Sequence, residues 1–86
     1  MYEIIFSNKA RKQLLKLEKN IQKRIITALE RIRIRPESYI AKLVGDPGYK
    51  LRVRDYRAIM DINNNNLLIL AIMVGHRKEI YKRLLK

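Results

Sequence analysis

Basic side chains in the second half of the chain are spaced in a way that suits chemistry on a phosphate. Lys50 and Arg52 are two residues apart in a segment of alternating polarity, which places them on one face of a strand, roughly 6.5–7 Å apart. If the next strand returns through a tight turn at Asp55, Arg57 comes alongside them. Like charges gathered in this way repel each other unless an anion neutralises them.

A second pair of candidate residues, Arg77 and Tyr81, follows the last predicted strand. Their i, i+4 spacing places both on one face of a helix. Because this helix begins where the chain leaves the sheet, we expect one concave patch that consists of Lys50, Arg52, Arg57, Arg77 and Tyr81.

Such a patch has the parts for cleaving RNA without a metal ion. Guanidinium groups clamp a phosphate and stabilise the charge that builds during phosphoryl transfer. A tyrosine ring stacks on an unpaired base, and a lysine crowded by other cations gives up its proton more readily, as a general base must. The 2′-OH would attack its own 3′ phosphate and the 5′ oxygen would leave. Spacing alone is equally typical of proteins that bind RNA without chemistry, and binding is the simpler interpretation.

The overall charge agrees with a polyanionic partner. The 86 residues include 20 Lys+Arg and 8 Asp+Glu, a net charge of +12, and the hydrophobic fraction of 48% excludes a disordered basic tail. A chain of this length buries roughly 60–65% of its unfolded surface, which predicts a single domain over residues 1–86 with any site in a shallow cleft. Many cations fall on polar helix faces, where simple solvation is the expected role of Lys9, Lys12, Lys16 and Lys23.

Several classes of protein are not expected from this composition. Cysteine is absent and His76 is the one histidine, so we expect no disulfide, no metal site and no cofactor. The N-terminal segment lacks the regions of a signal peptide, and the longest apolar run, Leu67–Val74, has eight residues against the ~20 of a membrane helix. We expect a soluble, cytoplasmic protein that does not contact a membrane.

The first half of the chain has the pattern of a strand followed by helices. Tyr2–Phe6 is apolar and β-prone, and Ser7 is the expected N-cap of the next helix. Apolar residues at helical spacing then predict two antiparallel helices, with a break at Lys19-Asn20 and an end at Arg35-Pro36.

The second half changes to a period of two. After a loop at Gly45–Gly48, one strand face carries Lys50, Arg52 and Arg54, and Tyr56–Ile62 is the return strand.

The Asn63–Asn66 run predicts a turn, and Leu67–Val74 predicts a strand that is buried on both faces and ends at Gly75. Residues 77–86 predict a short C-terminal helix with Ile80 and Leu84 facing the core. The fold class is therefore α+β: an N-terminal strand and a two-helix hairpin packed on an antiparallel or mixed sheet of about four strands, followed by a short helix.

Two segments of the sequence resemble the RelE branch of the RelE/ParE toxin superfamily of type II toxin–antitoxin systems. They are residues 49–60, YKLRVRDYRAIM, and residues 71–81, AIMVGHRKEIY. The first strand, the helical hairpin and Lys42-Leu43 before Gly45 fit as well, so the resemblance covers nearly the whole chain. It implies a RelE-like fold and a ribosome-dependent mRNA endonuclease, which cuts the codon in the ribosomal A site and is held inactive by a cognate antitoxin.

The resemblance also implies a role at each matching position. Lys50 would be the general base and Arg52 a second basic residue of the active site. Arg57 would stabilise the transition-state phosphate, and Arg77 would act near the leaving group as acid or stabiliser. Tyr81 would stack on the mRNA base and orient it. Arg52 stands where the best-known relatives have a lysine, so it keeps the charge but is a poorer proton shuttle.

Neighbouring cationic and titratable side chains are candidate RNA contacts: Arg54, His76, Lys78, Lys82 and Arg83. For His76 a turn residue is the simpler interpretation, and for Arg54 simple solvation is an equal alternative. The partners that the resemblance implies are a small acidic antitoxin, which would form a hetero-oligomer with this chain, and the ribosome with its A-site mRNA.

Two other functions stay open on the sequence. The ParE branch shares the fold but targets DNA gyrase, and superfamily members diverge in target while they keep the scaffold. A basic RNA-binding module without activity is the third possibility. The presence of Lys50, Arg57, Arg77 and Tyr81 together favours the nuclease.

Overall fold

Three α-helices and five strands make up the fold of residues 1–84, which are the residues that the computed structural model describes. In chain order they are β1 (Glu3–Phe6), α1 (Asn8–Leu15), α2 (Lys19–Ile32), a 3-10 turn (Pro36–Ser38), β2 (Ile40–Lys42), β3 (Tyr49–Val53), β4 (Tyr56–Asn63), β5 (Leu68–His76) and α3 (Arg77–Leu84). The predicted α+β class is confirmed. The last two residues of the predicted C-terminal helix lie outside the described residues.

The five strands form one mixed sheet in the order β1-β5-β4-β3-β2. β1 pairs in parallel with β5, and the other neighbouring pairs are antiparallel. The sheet has one strand more than the predicted four because β2 is three residues long, too short to show a period-two pattern.

The start of α1 lies where the sequence predicts it, whereas α2 ends three residues before the predicted Arg35. The Ser7 hydroxyl caps α1 by accepting a hydrogen bond from the Ala10 N–H at 3.0 Å. α2 ends at Ile32, and Pro36 then opens the 3-10 turn, in keeping with a proline that cannot continue a helix.

The break between α1 and α2 differs from the prediction. It lies at residues 16–18 and not at Lys19-Asn20, since α2 begins at Lys19 and Asn20 belongs to its first turn. The Gln22 side-chain amide donates to the Leu17 carbonyl at 2.7 Å. This local contact, five residues apart in the chain, satisfies a carbonyl in the connection.

Both helices pack on one side of the sheet, which we call the core face. α1 lies against β1 and β5, and α2 lies against β3. The buried apolar residues of α1, α2 and the sheet form one cluster here, made of Ala10, Leu14, Ile25, Leu29, Ile32, Leu51, Ala58, Met60, Ile69, Ala71 and Val74. Period-two alternation puts their strand neighbours on the opposite side, the open face.

α3 covers part of the open face. Ile80 is fully buried, as predicted, and its side chain lies over Gly75, where a Cβ would stand 3.4 Å from the Ile80 Cδ1. The prediction that the last strand is buried on both faces is wrong, because α3 packs at the C-terminal end of β5 and leaves Leu70 40% exposed. The strand also runs through Gly75 to His76 instead of ending at the glycine.

None of the helices within residues 1–84 has the length and apolar character to cross a membrane.

Candidate active site

The β3–β4 hairpin brings the predicted strand cations together on the open face. Its turn falls at Arg54 and Asp55, and Arg54 has a left-handed backbone with φ of 55°. Arg54 therefore does not share the strand face of Lys50 and Arg52, contrary to the prediction. Arg52 pairs directly with Arg57 across the two strands, so two guanidinium side chains stand next to each other, an arrangement that costs free energy without an anion.

Arg57 is the most firmly held of these cations and is 6% exposed. Its Nη1 donates to the carbonyls of Arg54 and Tyr56, each at 2.8 Å, and its Nε donates to the Tyr81 hydroxyl at 3.1 Å. Its Nη2 makes no hydrogen bond within residues 1–84. Three hydrogen bonds thus fix the guanidinium plane and leave one nitrogen for a ligand.

Tyr81 lies at the centre of the cations. The centroid of its ring is 5.7 Å from the Lys50 Nζ and 5.8 Å from the Arg57 Cζ, within the range of a cation–π contact. The pKa of the Tyr81 phenol lies below its ordinary value of 10.0, mainly because Arg57 donates a hydrogen bond to it. Partial burial raises this pKa, whereas the positive charges of Arg57, Lys50 and Arg52 lower it further. The phenol is a stronger hydrogen-bond donor as a result.

Lys50 has two apolar neighbours across the strands. Its partner in β2 is Ala41 and its partner in β4 is Ile59, which is 4% exposed. Neither neighbour offers a carboxylate. The small side chain of Ala41 also leaves space beside the ammonium group, and this space opens into a cleft.

The cleft has a volume of about 360 Å³. Four of its lining residues are the predicted Lys50, Arg52, Arg57 and Tyr81, and the other wall consists of residues 38–41 at the 3-10 turn and β2. No acidic side chain lines it. The sequence interpretation missed this wall and its exposed aromatic residue, Tyr39, because β2 was not predicted; the proline-initiated turn at Pro36 was the available signal.

Arg77 and His76 stand at the start of α3, outside the residues that line the cleft. Arg77 is exposed, and its backbone N–H donates to the Asp55 carbonyl at 2.8 Å, which ties α3 to the hairpin turn. The His76 Nδ1 accepts from the Lys78 N–H at 3.2 Å, and the His76 ring meets Tyr56 edge-on at 5.5 Å. His76 thus caps the first turn of α3, and this contact agrees with the simpler structural interpretation.

The remaining predicted RNA contacts are exposed and do not line the cleft. They are Arg54 in the hairpin turn and Lys78, Lys82 and Arg83 on α3.

The one salt bridge that residues 1–84 form joins Arg33 to Glu30 at 2.7 Å, on α2. Within the same residues, no three His, Cys, Asp or Glu side chains lie close enough together to hold a metal ion.

Comparison with known proteins agrees with this fold. A family model, ParE toxin of type II toxin-antitoxin system, parDE, matches residues 4–81. The chain is 26% identical to a chain of the intact RelBE toxin–antitoxin complex of E. coli, with a TM-score of 0.77, covering 88% of this chain and 96% of that one. No curated protein sequence matches it.

Two further solved structures have the same architecture. A chain of the RelB–RelE antitoxin–toxin complex from Methanococcus jannaschii is 28% identical, with a TM-score of 0.70 and coverage of 92% of this chain and 96% of that one. A chain of the RelBE2 complex from Mycobacterium tuberculosis is 24% identical, with a TM-score of 0.80 and coverage of 88% and 98%, and shows the common fold alone.

The α+β fold and the family match define the class of this protein as a toxin of a type II toxin–antitoxin system with a RelE-like fold. The match runs from β1 to Tyr81 in α3 and so includes every residue of the cleft. The chain belongs to the ParE toxin family.

Proposed function

We propose that this chain, as a single RelE-like toxin domain over residues 1–86, is an endonuclease that cuts ribosome-bound mRNA without a metal ion. The observation that supports this proposal is the cleft, in which Lys50 and Arg57 both contact Tyr81, with Arg52 beside them and no acidic side chain. A phosphodiester is an anion that suits two guanidinium groups and an ammonium group at this spacing.

In the proposed reaction the RNA supplies its own nucleophile. Lys50, as the general base, takes the proton of the 2′-OH, and the 2′ oxygen attacks the adjacent phosphorus. Arg57 and Arg52 bind the phosphate oxygens and stabilise the charge of the transition state. The P–O5′ bond then breaks and the 5′ oxygen takes a proton, with Arg77 as the acid or stabiliser. The products are a 2′,3′-cyclic phosphate and a 5′-OH.

Tyr81 has a proposed role in binding as well as in positioning. Its ring would stack on the base next to the scissile phosphate, and its hydroxyl holds the Arg57 Nε. Since Arg57 is also bound to two backbone carbonyls, the hydroxyl completes the set of contacts that orient the guanidinium.

Removal of the Lys50 ammonium is the direct test of this proposal. Lys50→Met keeps the length of the side chain and breaks no hydrogen bond of the fold, so we expect a folded protein whose mRNA cleavage falls by about 10²–10⁴-fold. Lys12→Met on α1, which packs on the core face, removes the same charge far from the cleft and should leave cleavage unchanged. The readout is mapping of mRNA ends on translating ribosomes; full cleavage by Lys50→Met would refute the proposal.

Arg77→Ala tests the proposed role of the first residue of α3. The backbone hydrogen bond from residue 77 to the Asp55 carbonyl survives the substitution, so the fold should be kept while growth inhibition is lost. A fully toxic Arg77→Ala variant would remove Arg77 from the mechanism.

The second candidate function is inhibition of DNA gyrase, which the ParE description of the matching family favours. The cleft argues for RNA instead, because gyrase inhibition gives no reason for a buried arginine, a lysine and a tyrosine to converge on one anion site. Expression of the toxin separates the candidates: cut mRNA supports the nuclease, whereas gyrase-linked DNA breaks with intact mRNA support the ParE activity. Normal growth with intact mRNA and DNA supports a binding module without activity.

We also propose a cognate antitoxin as the partner, since the similar chains from E. coli and M. jannaschii are in complexes with RelB. The net charge of +12 favours a small acidic protein. Leu15, 66% exposed, and Ile26, 45% exposed, are apolar residues available for contact on the two helices. Co-expression with an adjacent open reading frame should restore growth and yield a complex; the ribosome with A-site mRNA is the proposed target.

A further inference from the structure

A second cleft, which we call the basic groove, runs between α2 and the β3–β4 hairpin turn. It has a volume of about 350 Å³. Its walls carry five basic side chains and no acidic one; the basic residues are Lys23, Arg24 and Arg31 from α2 and Arg52 and Arg54 from the hairpin.

The distribution of charge around α2 distinguishes the groove from an ordinary solvated face. Lys23 and Arg31 are eight residues apart and lie on the same side of the helix. The acidic residue Glu30 does not line the groove; it pairs with Arg33 at 2.7 Å and borders an apolar cleft. An ordinary exposed helix face mixes charges of both signs, whereas every charged residue that lines the groove is basic. Lys23, for which the sequence predicts simple solvation, is one of these basic lining residues.

The shape of the groove suits an extended chain of phosphates. Ala28 and Val53, both half-buried against the core, are small lining residues and leave space between the cations. Lys23 and Arg31 are separated by roughly 12 Å along the helix axis, which is long enough to contact more than one phosphate.

The basic groove adjoins the candidate active site at one shared residue. Arg52 lines both the basic groove and the cleft that contains Lys50, Arg57 and Tyr81. Arg54, with its left-handed backbone, contributes to the groove and not to the strand face. A strand whose scissile phosphate lies at Arg57 would therefore pass Arg52 and enter the groove.

We propose that the basic groove binds the phosphodiester backbone of the single-stranded RNA that continues from the nucleotide in the cleft. This inference rests on the proposed function and extends its substrate site by several phosphates. The contacts are to the backbone, so they are independent of base identity and weaken with salt.

Binding of uncleavable RNA tests the groove separately from the chemistry. Oligonucleotides with 2′-O-methyl groups have no nucleophile, so their affinity for the full chain can be measured at several lengths by fluorescence anisotropy. For the wild-type protein we expect affinity to rise with length beyond the few nucleotides that the cleft holds. Lys23→Gln/Arg31→Gln should bind a trinucleotide normally and a twelve-nucleotide strand about 10- to 100-fold more weakly at low salt. Its slope of log affinity against log salt should fall by about 1.4, since each lost phosphate contact removes about 0.7.

Lys9→Gln/Lys12→Gln on α1 is the matched control, because it removes the same charge from exposed sites that lie over β1 and β5. It should retain the wild-type affinity and slope for the long strand. Equal binding by the groove variant and this control overturns the proposal. The proposal is also overturned if the wild-type protein prefers duplex RNA to the single strand and the groove variant loses this preference. That result would assign the groove to structured ribosomal RNA.

The proposed nuclease activity is judged by another measurement, cleavage of ribosome-bound mRNA by the wild-type toxin. If the wild-type protein binds the long strand through the groove but cuts no mRNA, the groove is supported and the proposed nuclease is refuted. If it cuts mRNA but binds all lengths of RNA equally, the nuclease stands and the groove is refuted.

Discussion

The two faces of the central sheet are formed by the same strands but carry different side chains, apolar ones in the core and cationic ones at the cleft. In β3, Leu51 packs into the core while Lys50 faces the cleft; in β4, Ala58 packs into the core while Arg57 faces the cleft. On the core face two helices cover the strands, and on the open face α3 covers the end at Ile80. One face is therefore used for stability, and the other presents a partly covered surface on which cations converge.

The difference shows how a small domain can place unpaired cations in its fold. Burial of apolar surface on the core face stabilises the fold by about 25 cal/mol per Å² and so opposes the repulsion between neighbouring guanidinium groups on the other face. Arg57 combines the two environments: it is 6% exposed, yet its hydrogen bonds go to backbone carbonyls and a phenol and not to a carboxylate. The site keeps its positive charge for a ligand.

Adjacent residues of β5 give the largest expected contrast between the faces. Ile69 is fully buried on the core face and Leu70 is 40% exposed on the open face. Ile69→Ala should lower the free energy of unfolding by about 2–5 kcal/mol, because it removes buried methylene groups and leaves a cavity. Leu70→Ala should cost less than about 1 kcal/mol. Urea denaturation measures both, and equal losses would mean that the open face is as well packed as the core.

Arg57→Lys tests whether the open face works by geometry or by charge. The substitution keeps the positive charge but removes the planar group that donates to Arg54, Tyr56 and Tyr81, so cleavage of mRNA should fall by about 10²–10³-fold. Arg11→Lys, an exposed change on α1, is the matched control and should leave cleavage unchanged. Full activity of Arg57→Lys would show that charge alone is sufficient.

The ionisation of Tyr81 should report the cationic environment of the open face. A titration followed by tyrosinate absorbance should contain a component with a pKa below 10.0 that disappears in Tyr81→Phe. Arg57→Gln, which removes the main cause of the shift, should move the pKa of Tyr81 upward, whereas Arg77→Gln should not. If the pKa of Tyr81 is the same in Arg57→Gln as in the wild-type protein, the hydrogen bond from Arg57 is not the main cause of the shift.

The lowered pKa of Tyr81 also has a consequence for stability. As pH rises through this pKa, the folded protein releases a proton that the unfolded chain holds up to about 10.0. Stability therefore gains in that alkaline window, and the gain is lost as pH falls back through the folded-state pKa. Comparison of unfolding free energies for the wild-type protein and Tyr81→Phe across this range measures the gain.

The smallest expected effect is that of a chelator. In the proposed mechanism the guanidinium groups of Arg57 and Arg52 supply the positive charge at the phosphate, so EDTA at concentrations that leave ribosomes assembled should not change the cleavage rate. The control is a metal-dependent nuclease in the same reaction. Loss of toxin activity under conditions that inhibit the control enzyme would require a different mechanism.

Much of the fold follows from local patterns. The alternation around Leu51 predicts which strand residues face the cleft, and the spacing of Ser7 and Ala10 predicts where α1 starts. These predictions hold because side-chain direction in a strand and the cap of a helix depend on neighbouring residues. β2 was not predicted because its pairing with β3 defines it, and the helix break was misplaced because Asn20 belongs to the first turn of α2 and does not end α1.

The candidate site divides in the same way. Its residue types and the approach of Arg57 to Lys50 and Arg52 through a turn at Asp55 were predicted from the sequence, and the structure shows this approach as a direct pairing of Arg52 with Arg57. Arg54 itself was assigned to the strand face, because its left-handed backbone in that turn was not foreseen. The exposure of Leu70 was missed too, since a continuous apolar run does not reveal how far a covering helix extends.

The sequence by itself determined the class of fold, the cations of the open face and the resemblance that points to a toxin. The tertiary structure alone decided that Tyr81 receives a hydrogen bond from Arg57, that residues 38–41 form the far wall of the cleft, and that α2 extends its charge into the basic groove. The physical reason is the separation along the chain of the residues that interact. Alternation and capping depend on residues a few positions apart, whereas each of these contacts joins elements that only the packing of the whole chain brings together.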